Sequence, residues 1–510
     1  MGILQALILT ASAAGLSMPA QAQDAGGLRG GIGLEDADQG GASGSGGIAP
    51  PYVPISPGAL TDPADDDATA FSGDATTSAR TTATVASPTA TETDDTTTGT
   101  VRQPAVDSVE NQPLNEGTQR AQAIEGLDRP TDDDPYEALG IRWGSFILKP
   151  TLESGVTATS NADSSADGSE AVLSETTLRL NATSDWTSHS ASVDAYGTFR
   201  KTLSGEEIED VEGGVDAQME LELGKDYRAT GTFTYSLAPE SAASPVVIPG
   251  TVDEPYAQTV GGTLGLEKAI GKTRFGVTGG VSNESYGDAD LLGGGTLSQK
   301  DRNATLYTLA LRAGYEISPA LTPFVEAEIG RNQYQQDVDA AGYRRSSDQY
   351  AVRGGLELDL GEKLSGEVSA GWITEEFDDA RLESLSTPTV AAELNWSPVR
   401  GTDVQLSGST ALEGTTTPGE SGSVLYSTSL SVERAMRANL TGDAMVGLGY
   451  RNYSQSDGYD FIFNAEASLT WWLNRYTGLV GRVEHETVTS NLPDRESETN
   501  SVFLGLKLQR

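Results

Sequence analysis

From residue 135 onward, apolar and polar side chains alternate in runs of about ten to thirteen residues separated by turn-rich breaks. Tyr350, Val352, Gly354, Leu356, Leu358 and Leu360 share one face, and Ala351, Arg353, Gly355, Glu357 and Asp359 share the other. Val215, Ala217, Met219, Leu221 and Leu223 alternate in the same way with Asp216, Gln218, Glu220 and Glu222. Near the end of the chain Phe461, Phe463, Ala465, Ala467, Leu469, Trp471 and Leu473 alternate with Ile462, Asn464, Glu466, Ser468, Thr470 and Trp472. Period two is the signature of a strand with one apolar face. A soluble β-sandwich or β-solenoid alternates too, but so many long segments in succession match strands that cross a bilayer.

The breaks carry independent information. Short ones fall at residues 184–185, 224–226, 271–272, 318–319, 361–363, 398–402, 436–439 and 474–475. Long polar ones fall between them, at 160–169, 201–209, 237–255, 286–301, 336–347, 377–386, 414–422, 455–460 and 490–498. Strict alternation of tight and long connections is expected of an up-and-down barrel with short periplasmic turns and longer external loops. The segments between Ser145 and Gln509 predict an all-β, transmembrane antiparallel barrel of about eighteen strands, or about sixteen if boundaries shift. An even count places both ends of the barrel in the periplasm. Trp143, Phe146, Tyr196, Phe199, Tyr235, Tyr315, Phe324, Trp372, Trp396, Tyr450, Trp471 and Trp472 lie near strand ends, the place of an aromatic girdle at the bilayer interface.

The preceding text is different. Residues 1–22 hold a short apolar run ending in Ala20-Gln21-Ala22, a small-x-small cleavage pattern that predicts a signal peptide, with a buried apolar helix as the alternative. The run is too short to span a bilayer as a helix, and only the α-amino group supplies positive charge ahead of it. Residues 23–134 pass through Gly-rich, Pro-rich and Thr/Ala/Asp-rich text almost without aromatics. Such a segment buries too little apolar surface to offset its ordering entropy and is expected to be a disordered acidic spacer in the periplasm. Residues 135–510 form the barrel.

Composition narrows the function classes. The 510 residues carry 74 acidic and 33 basic side chains, a net charge of −41, and no cysteine. A nucleic-acid partner is excluded by the missing basic footprint, and disulfides, thiolate metal sites and a cysteine nucleophile by the missing thiols. No phosphate-cradling loop, dinucleotide fingerprint or fixed calcium loop is present, so no cofactor and no metal is expected. His189, in a predicted turn near Asp185 and Trp186, and His485, between Glu484 and Glu486, are the two histidines. Neither accompanies a serine motif, so no catalytic residue is assigned and an enzyme is not expected.

The chemistry of the chain therefore lies on its polar faces. Arg179, Arg200, Arg228, Arg274, Arg312, Arg353, Arg451 and Arg482 have lumen-facing parity. So do Asp216, Glu220, Glu222, Glu267, Glu326, Glu328, Glu357, Glu393, Glu433, Glu466 and Glu484. Lining water, they would filter permeants by charge, with a mild preference for cations because acid outnumbers base. The alternative is an ion-pair network that stiffens the wall.

Pro135-Tyr136-Glu137-Ala138-Leu139-Gly140-Ile141-Arg142 and the following Gly144-Ser145-Phe146-Ile147-Leu148-Lys149-Pro150 resemble the start of an outer-membrane β-barrel porin family common in alphaproteobacteria. Glu484-His485-Glu486, Ser490-Asn491-Leu492-Pro493 and the closing run from Val502 to Arg510 are similar to its end. The resemblance implies the outer membrane and a barrel more than it implies a substrate. Some similar barrels accompany exopolysaccharide production, so it implies either a channel for small hydrophilic solutes or an exopolysaccharide conduit. A structural or adhesive surface barrel is the remaining expectation. The implied partners are outer-membrane lipid and lipopolysaccharide, the barrel assembly machinery, and a periplasmic partner of the acidic segment. Arg510 stands where such barrels usually end in an aromatic, and Phe503 has lumen-facing parity if Val502 faces lipid.

Overall fold

Strands with one apolar and one polar face leave their backbone groups satisfied in lipid only when the sheet closes on itself. The computed structural model describes residues 135–510, apart from 167, 247, 249–253, 292–293 and 494. The expected signal peptide and acidic spacer lie outside the described residues.

Eighteen long antiparallel strands follow one another through the described residues. They are β1 (Phe146–Thr159), β2 (Ala171–Ser184), β3 (His189–Gly205), β4 (Glu209–Glu222), β5 (Tyr227–Pro239) and β6 (Tyr256–Ile270). Next come β7 (Thr273–Tyr286), β8 (Ala304–Tyr315), β9 (Leu321–Tyr334), β10 (Ser347–Asp359), β11 (Leu364–Phe377) and β12 (Leu385–Val399). The last six are β13 (Thr402–Glu413), β14 (Ser423–Arg437), β15 (Leu440–Tyr453), β16 (Tyr459–Asn474), β17 (Thr477–Ser490) and β18 (Ser497–Gln509). Each pairs with its neighbours in sequence, and β18 returns to β1 in the register Thr151↔Gln509 to Thr159↔Ser501. The sheet is therefore a closed barrel of eighteen strands rather than sixteen, and tight and long connections alternate as expected except between β3 and β4, where the expected long break shrinks to residues 206–208.

The outward face is apolar and the inward face polar. Leu264, Val352 and Leu504 are 74%, 64% and 68% exposed, whereas Glu326, Arg353 and Glu357 are 5%, 7% and 7% exposed. That inversion of the soluble-protein rule places hydrocarbon outside and a polar interior within. Phe503 is buried inside the wall, as its parity implies.

Three girdle assignments are corrected. Tyr196, Phe324 and Trp472 point inward, whereas Phe199, Tyr315, Trp372, Trp396, Tyr450 and Trp471 are exposed on the outer face. Tyr196 lies directly opposite the inward Gly214, and Phe324 directly opposite Gly355. A Cβ added to either glycine would meet the facing ring at 2.5 or 2.4 Å, so each ring occupies the space its glycine leaves. Phe503 covers Gly505 in the same way. Above each ring sits a guanidinium, Arg179 at 5.6 Å from Tyr196, Arg312 at 3.9 Å from Phe324 and Arg482 at 4.8 Å from Phe503. The pattern arginine over aromatic over glycine thus recurs three times on the inner wall. Trp472 also covers a glycine, Gly478, beside a register shift at the β16–β17 turn.

Two boundaries differ as well. Strand β3 continues to Gly205 through residues expected to be loop: Lys201 and Thr202 pair with Ser174 and Leu173, and past a bulge at Leu203 the pairing resumes from Ser204 and Gly205 to Val172 and Ala171. His189 begins that strand instead of lying in the turn, and its Nδ1 accepts a hydrogen bond from the Glu222 N–H at 3.2 Å.

Before β1, a short strand, Ile141–Trp143, pairs back on Phe146–Leu148. Gln509 donates to the Tyr136 carbonyl at 2.7 Å, Arg475 donates to that of Pro135 at 3.0 Å, and Lys149 pairs with Glu137 at 2.8 Å. The entry text and the closing text thus meet at the turn end of the seam.

Candidate lumen site and its inward loop

Carboxylates and guanidinia forced to one side of a closed sheet reach across neighbouring strands for partners, since an unpaired charge there is costly. On one wall Arg482 of β17 pairs with Glu153 of β1 at 3.2 Å, with Glu484 at 2.7 Å and with Glu175 of β2. Arg200 of β3 joins Glu212 at 2.7 Å and Glu175 at 3.9 Å. Arg179, Arg200, Arg482, Glu175, Glu212 and Glu484 line a polar cavity of about 40 Å³, room for roughly three water molecules.

On the other wall Arg228 meets Glu220 at 2.9 Å, and Arg274 meets Glu357 at 3.1 Å. Arg312 bridges Glu326 and Glu367 at 2.9 and 2.7 Å, and Arg353 bridges Glu326 and Glu328 at 3.1 Å each. Glu267 stands directly opposite Arg228 on the adjacent strand.

Other inward carboxylates face their own kind. Asp216 is opposite Asp194, Glu393 opposite Glu367, Glu433 opposite Asp443, and Glu466 opposite Glu484. Glu222 ends β4 on the inward parity. Among the described residues no group of three or more His, Asp or Glu side chains is arranged to hold a metal ion. His485 turns away from the carboxylates beside it in sequence, for Glu484 and Glu486 point inward. Its ring lies 5.9 Å from Phe463, and its Nδ1 lies 3.3 Å from Asn500 Oδ1.

The most organised inward structure comes from a loop. The described start of the connection between β5 and β6, residues 240–246, folds into the barrel and touches strands on the far wall. Its base is fixed where Glu240 makes a two-pronged pair with Arg302 at 2.6 and 2.7 Å, with Arg302 stacked 3.7 Å from the Tyr286 ring. Its tip is a turn in which Ser244 N–H donates to the Ser241 carbonyl at 2.9 Å. The Ser241 hydroxyl accepts from Ala243 N–H at 3.2 Å, and the Ser244 hydroxyl from Ser241 N–H at 3.1 Å. The corner residues Ala242 and Ala243 pack on Leu425 of β14, Ile462 of β16 and Val488 of β17.

The loop backbone is held by side chains of the receiving wall. Arg451 donates to the Ala243 carbonyl at 2.8 Å, and Arg495, in the β17–β18 loop, donates to those of Ser244 and Pro245 at 2.5 and 3.4 Å. Asp460 orients all three donors of this wall. It accepts from Arg451 at 2.9 Å, Arg495 at 2.9 Å and the Tyr453 hydroxyl at 2.7 Å. Glu413 takes the remaining edge of Arg451 at 2.6 and 3.0 Å. Arg451 and Asp460 are fully buried.

The sequence reading placed Arg451 on the lumen side but missed this loop and the rest of its seat. Two signals were available. The β5–β6 break carries Ala-Ala and Pro-Val-Val-Ile where solvent-exposed text is expected, and Leu425, Ile462 and Val488 are apolar at inward parity near the loop end.

A second brace ties the β9–β10, β11–β12 and β13–β14 loops together. Arg345 is 2% exposed and donates to Asp339 at 2.8 Å and to the carbonyls of Thr417 and Glu420 at 2.9 and 2.5 Å. Burial raises the Asp339 carboxyl, but hydrogen bonds from Tyr343 N–H and from Arg345 outweigh it and hold the group below its ordinary range. Asp378 is held low chiefly by the guanidinium of Arg331, at 2.9 and 2.6 Å. Asp379 is held low chiefly by the side chain of Arg381, at 2.9 and 2.7 Å, then by the N–H groups of Arg344 and Arg381.

Several solved structures are similar to the chain at low sequence identity. Pseudomonas aeruginosa OpdO is 15% identical, covers 72% of this chain and 97% of its own, with a TM-score of 0.34. A BenF-like porin from Pseudomonas fluorescens Pf-5 is 13% identical, covers 72% and 99%, with a TM-score of 0.36. Pseudomonas aeruginosa OccK9 (OpdG) is 14% identical, covers 72% and 98%, with a TM-score of 0.35. Likeness at this distance transfers no substrate. No curated protein matches the chain. The family model described as "Putative beta-barrel porin 2" matches residues 134–510, and the chain belongs to that family of outer-membrane barrels.

Proposed function

We propose that the protein is a constricted diffusive channel for small hydrophilic solutes in the bacterial outer membrane. In this reading the loops face the exterior, and the tight turns, both barrel ends and residues 23–134 face the periplasm. The observation that carries the proposal is the inversion of faces around eighteen strands, apolar outside and charged inside. Such a wall stabilises water and polar solutes within it, and a barrel of this strand number has a lumen wide enough to hold them. The inward β5–β6 loop sets the aperture, because it reaches strands on the opposite wall. Carboxylates outnumber guanidinia on the inner wall, and four facing pairs set acid against acid, so the channel favours cations mildly over anions.

Purified protein in planar bilayers should give discrete conductance steps, small for the intact chain and larger once residues 241–246 are removed. A folded barrel that is silent in both forms would sink the proposal.

A further inference from the structure

The seat of the inward loop has the form of a binding site, and its occupant is a stretch of peptide. Donors converge on consecutive carbonyl oxygens, those of Ala243, Ser244 and Pro245, from Arg451 and Arg495. Beside them Leu425, Ile462 and Val488 form an apolar floor that takes the methyl groups of Ala242 and Ala243. The receiving groups are pre-organised without help from the loop, since Asp460 and Glu413 fix both guanidinia and the tyrosine hydroxyl. Arg451 and Arg495 balance Glu413 and Asp460, two cations against two anions, so the seat has no net charge to attract an ion. Loops in water do not need such a seat, and apolar residues at inward positions of a polar lumen are stabilised only by something that covers them.

We infer that this seat is a recognition site for short uncharged peptides with small apolar side chains, and that residues 241–245 are its resident internal ligand. Carbonyl capture by Arg451 and Arg495 selects a peptide backbone, the floor selects alanine-sized side chains, and the neutral balance disfavours charged solutes. A peptide entering from the loop end displaces the turn and takes over its hydrogen bonds, which couples recognition to widening of the lumen. The inference rests on the channel reading and names its substrate class.

Its test uses the full chain lacking residues 241–246, folded in detergent. The probe is a Ser-Ala-Ala-Ser-Pro peptide with an uncharged boron-dipyrromethene dye on its N-terminal amine and an amide at its C-terminus, so that it carries no charge. Anisotropy should report saturable binding to the trimmed chain, about tenfold or more tighter than to the intact chain. Arg495→Gln in the trimmed chain should weaken binding by about tenfold, the worth of one hydrogen bond to a charged group. Tyr453→Phe, which removes a donor that holds Asp460 and through it both guanidinia, should weaken it by about threefold.

A peptide with both alanines replaced by aspartate should bind at least about tenfold more weakly, because a buried carboxylate there has no cation free to pair with it. Absence of saturable binding to a trimmed barrel that still shows heat-dependent gel mobility overturns the inference. So does equal displacement of the probe by maltotriose. Salt conductance of the same trimmed protein reports on the channel reading separately, so the two fail independently.

Discussion

The Nη2 of Arg451 donates to the carbonyl oxygen of Ala243 at 2.8 Å, joining residues 208 positions apart in the chain. One belongs to β15 and the other to the loop that leaves β5, so the bond links opposite walls of the barrel. Breaking it should release the loop. The chain has no cysteine, so Ser244→Cys gives a background-free probe at a position that is fully buried. Maleimide labelling of this site should be slow, and Arg451→Gln should speed it by about tenfold or more, since each charge-assisted bond is worth about 1.5–3 kcal/mol. Unchanged labelling would show that the loop is held elsewhere.

Arg482 is the hub of the seam wall, with Glu153, Glu175 and Glu484 around it. Arg482→Met leaves Glu153 and Glu484 without this cation and Glu175 with only the more distant Arg200. We expect a loss of about 3–5 kcal/mol in urea unfolding from lipid vesicles. Adding Glu175→Gln should restore part of it, and a double variant no more stable than the single would contradict the network.

The outer face has the opposite sensitivity. Val352 lies near the middle of β10 and is 64% exposed, which in this barrel means exposed to lipid. Val352→Arg should cost about 2–4 kcal/mol in vesicles, the range for a cation near the bilayer midplane. If unfolding is unaffected, this surface does not face hydrocarbon.

Backbone geometry offers a sharper test at Gly366 of β11, where φ is +130° and an added Cβ would meet the Glu393 carbonyl oxygen at 2.0 Å. Gly366→Ala should destabilise the barrel by about 1–3 kcal/mol. The reference is Gly354→Ala on the outer face, where the nearest atom stands at 3.9 Å and little change is expected.

The loop brace is expected to respond to acid in a defined direction. Asp339, Asp378 and Asp379 are all held below the ordinary carboxylate value. Groups lowered by folding add stability above their unfolded pKa of about 4, and that stability disappears as pH falls through the lower folded value. The loops should therefore stay braced at neutral and mildly acidic pH and loosen only below about pH 4. Carboxyl-carbon NMR titration of these aspartates should give midpoints below that of a model aspartate, and ordinary or raised midpoints would contradict the brace.

Much of this architecture was legible in the chain itself. Period-two alternation depends only on successive side chains pointing to opposite faces, so the sequence determined the strands, their inner and outer faces and the alternation of turns and loops. The strand number followed from the breaks. Tyr196 and Phe324 were misplaced although they share the parity of the lumen-facing Arg200 and Glu326; what the sequence did not show is the room that lets the rings fit inside, left by Gly214 and Gly355 on the neighbouring strands. Tertiary structure alone decided which distant residues meet. Closing eighteen strands fixes which walls oppose one another, and only then does Ala243 lie within reach of Arg451, Tyr453 gain Asp460, and Leu425, Ile462 and Val488 acquire a cover. Contacts across a lumen carry no periodic signal, because they depend on the curvature of the whole sheet and not on the order of neighbouring residues.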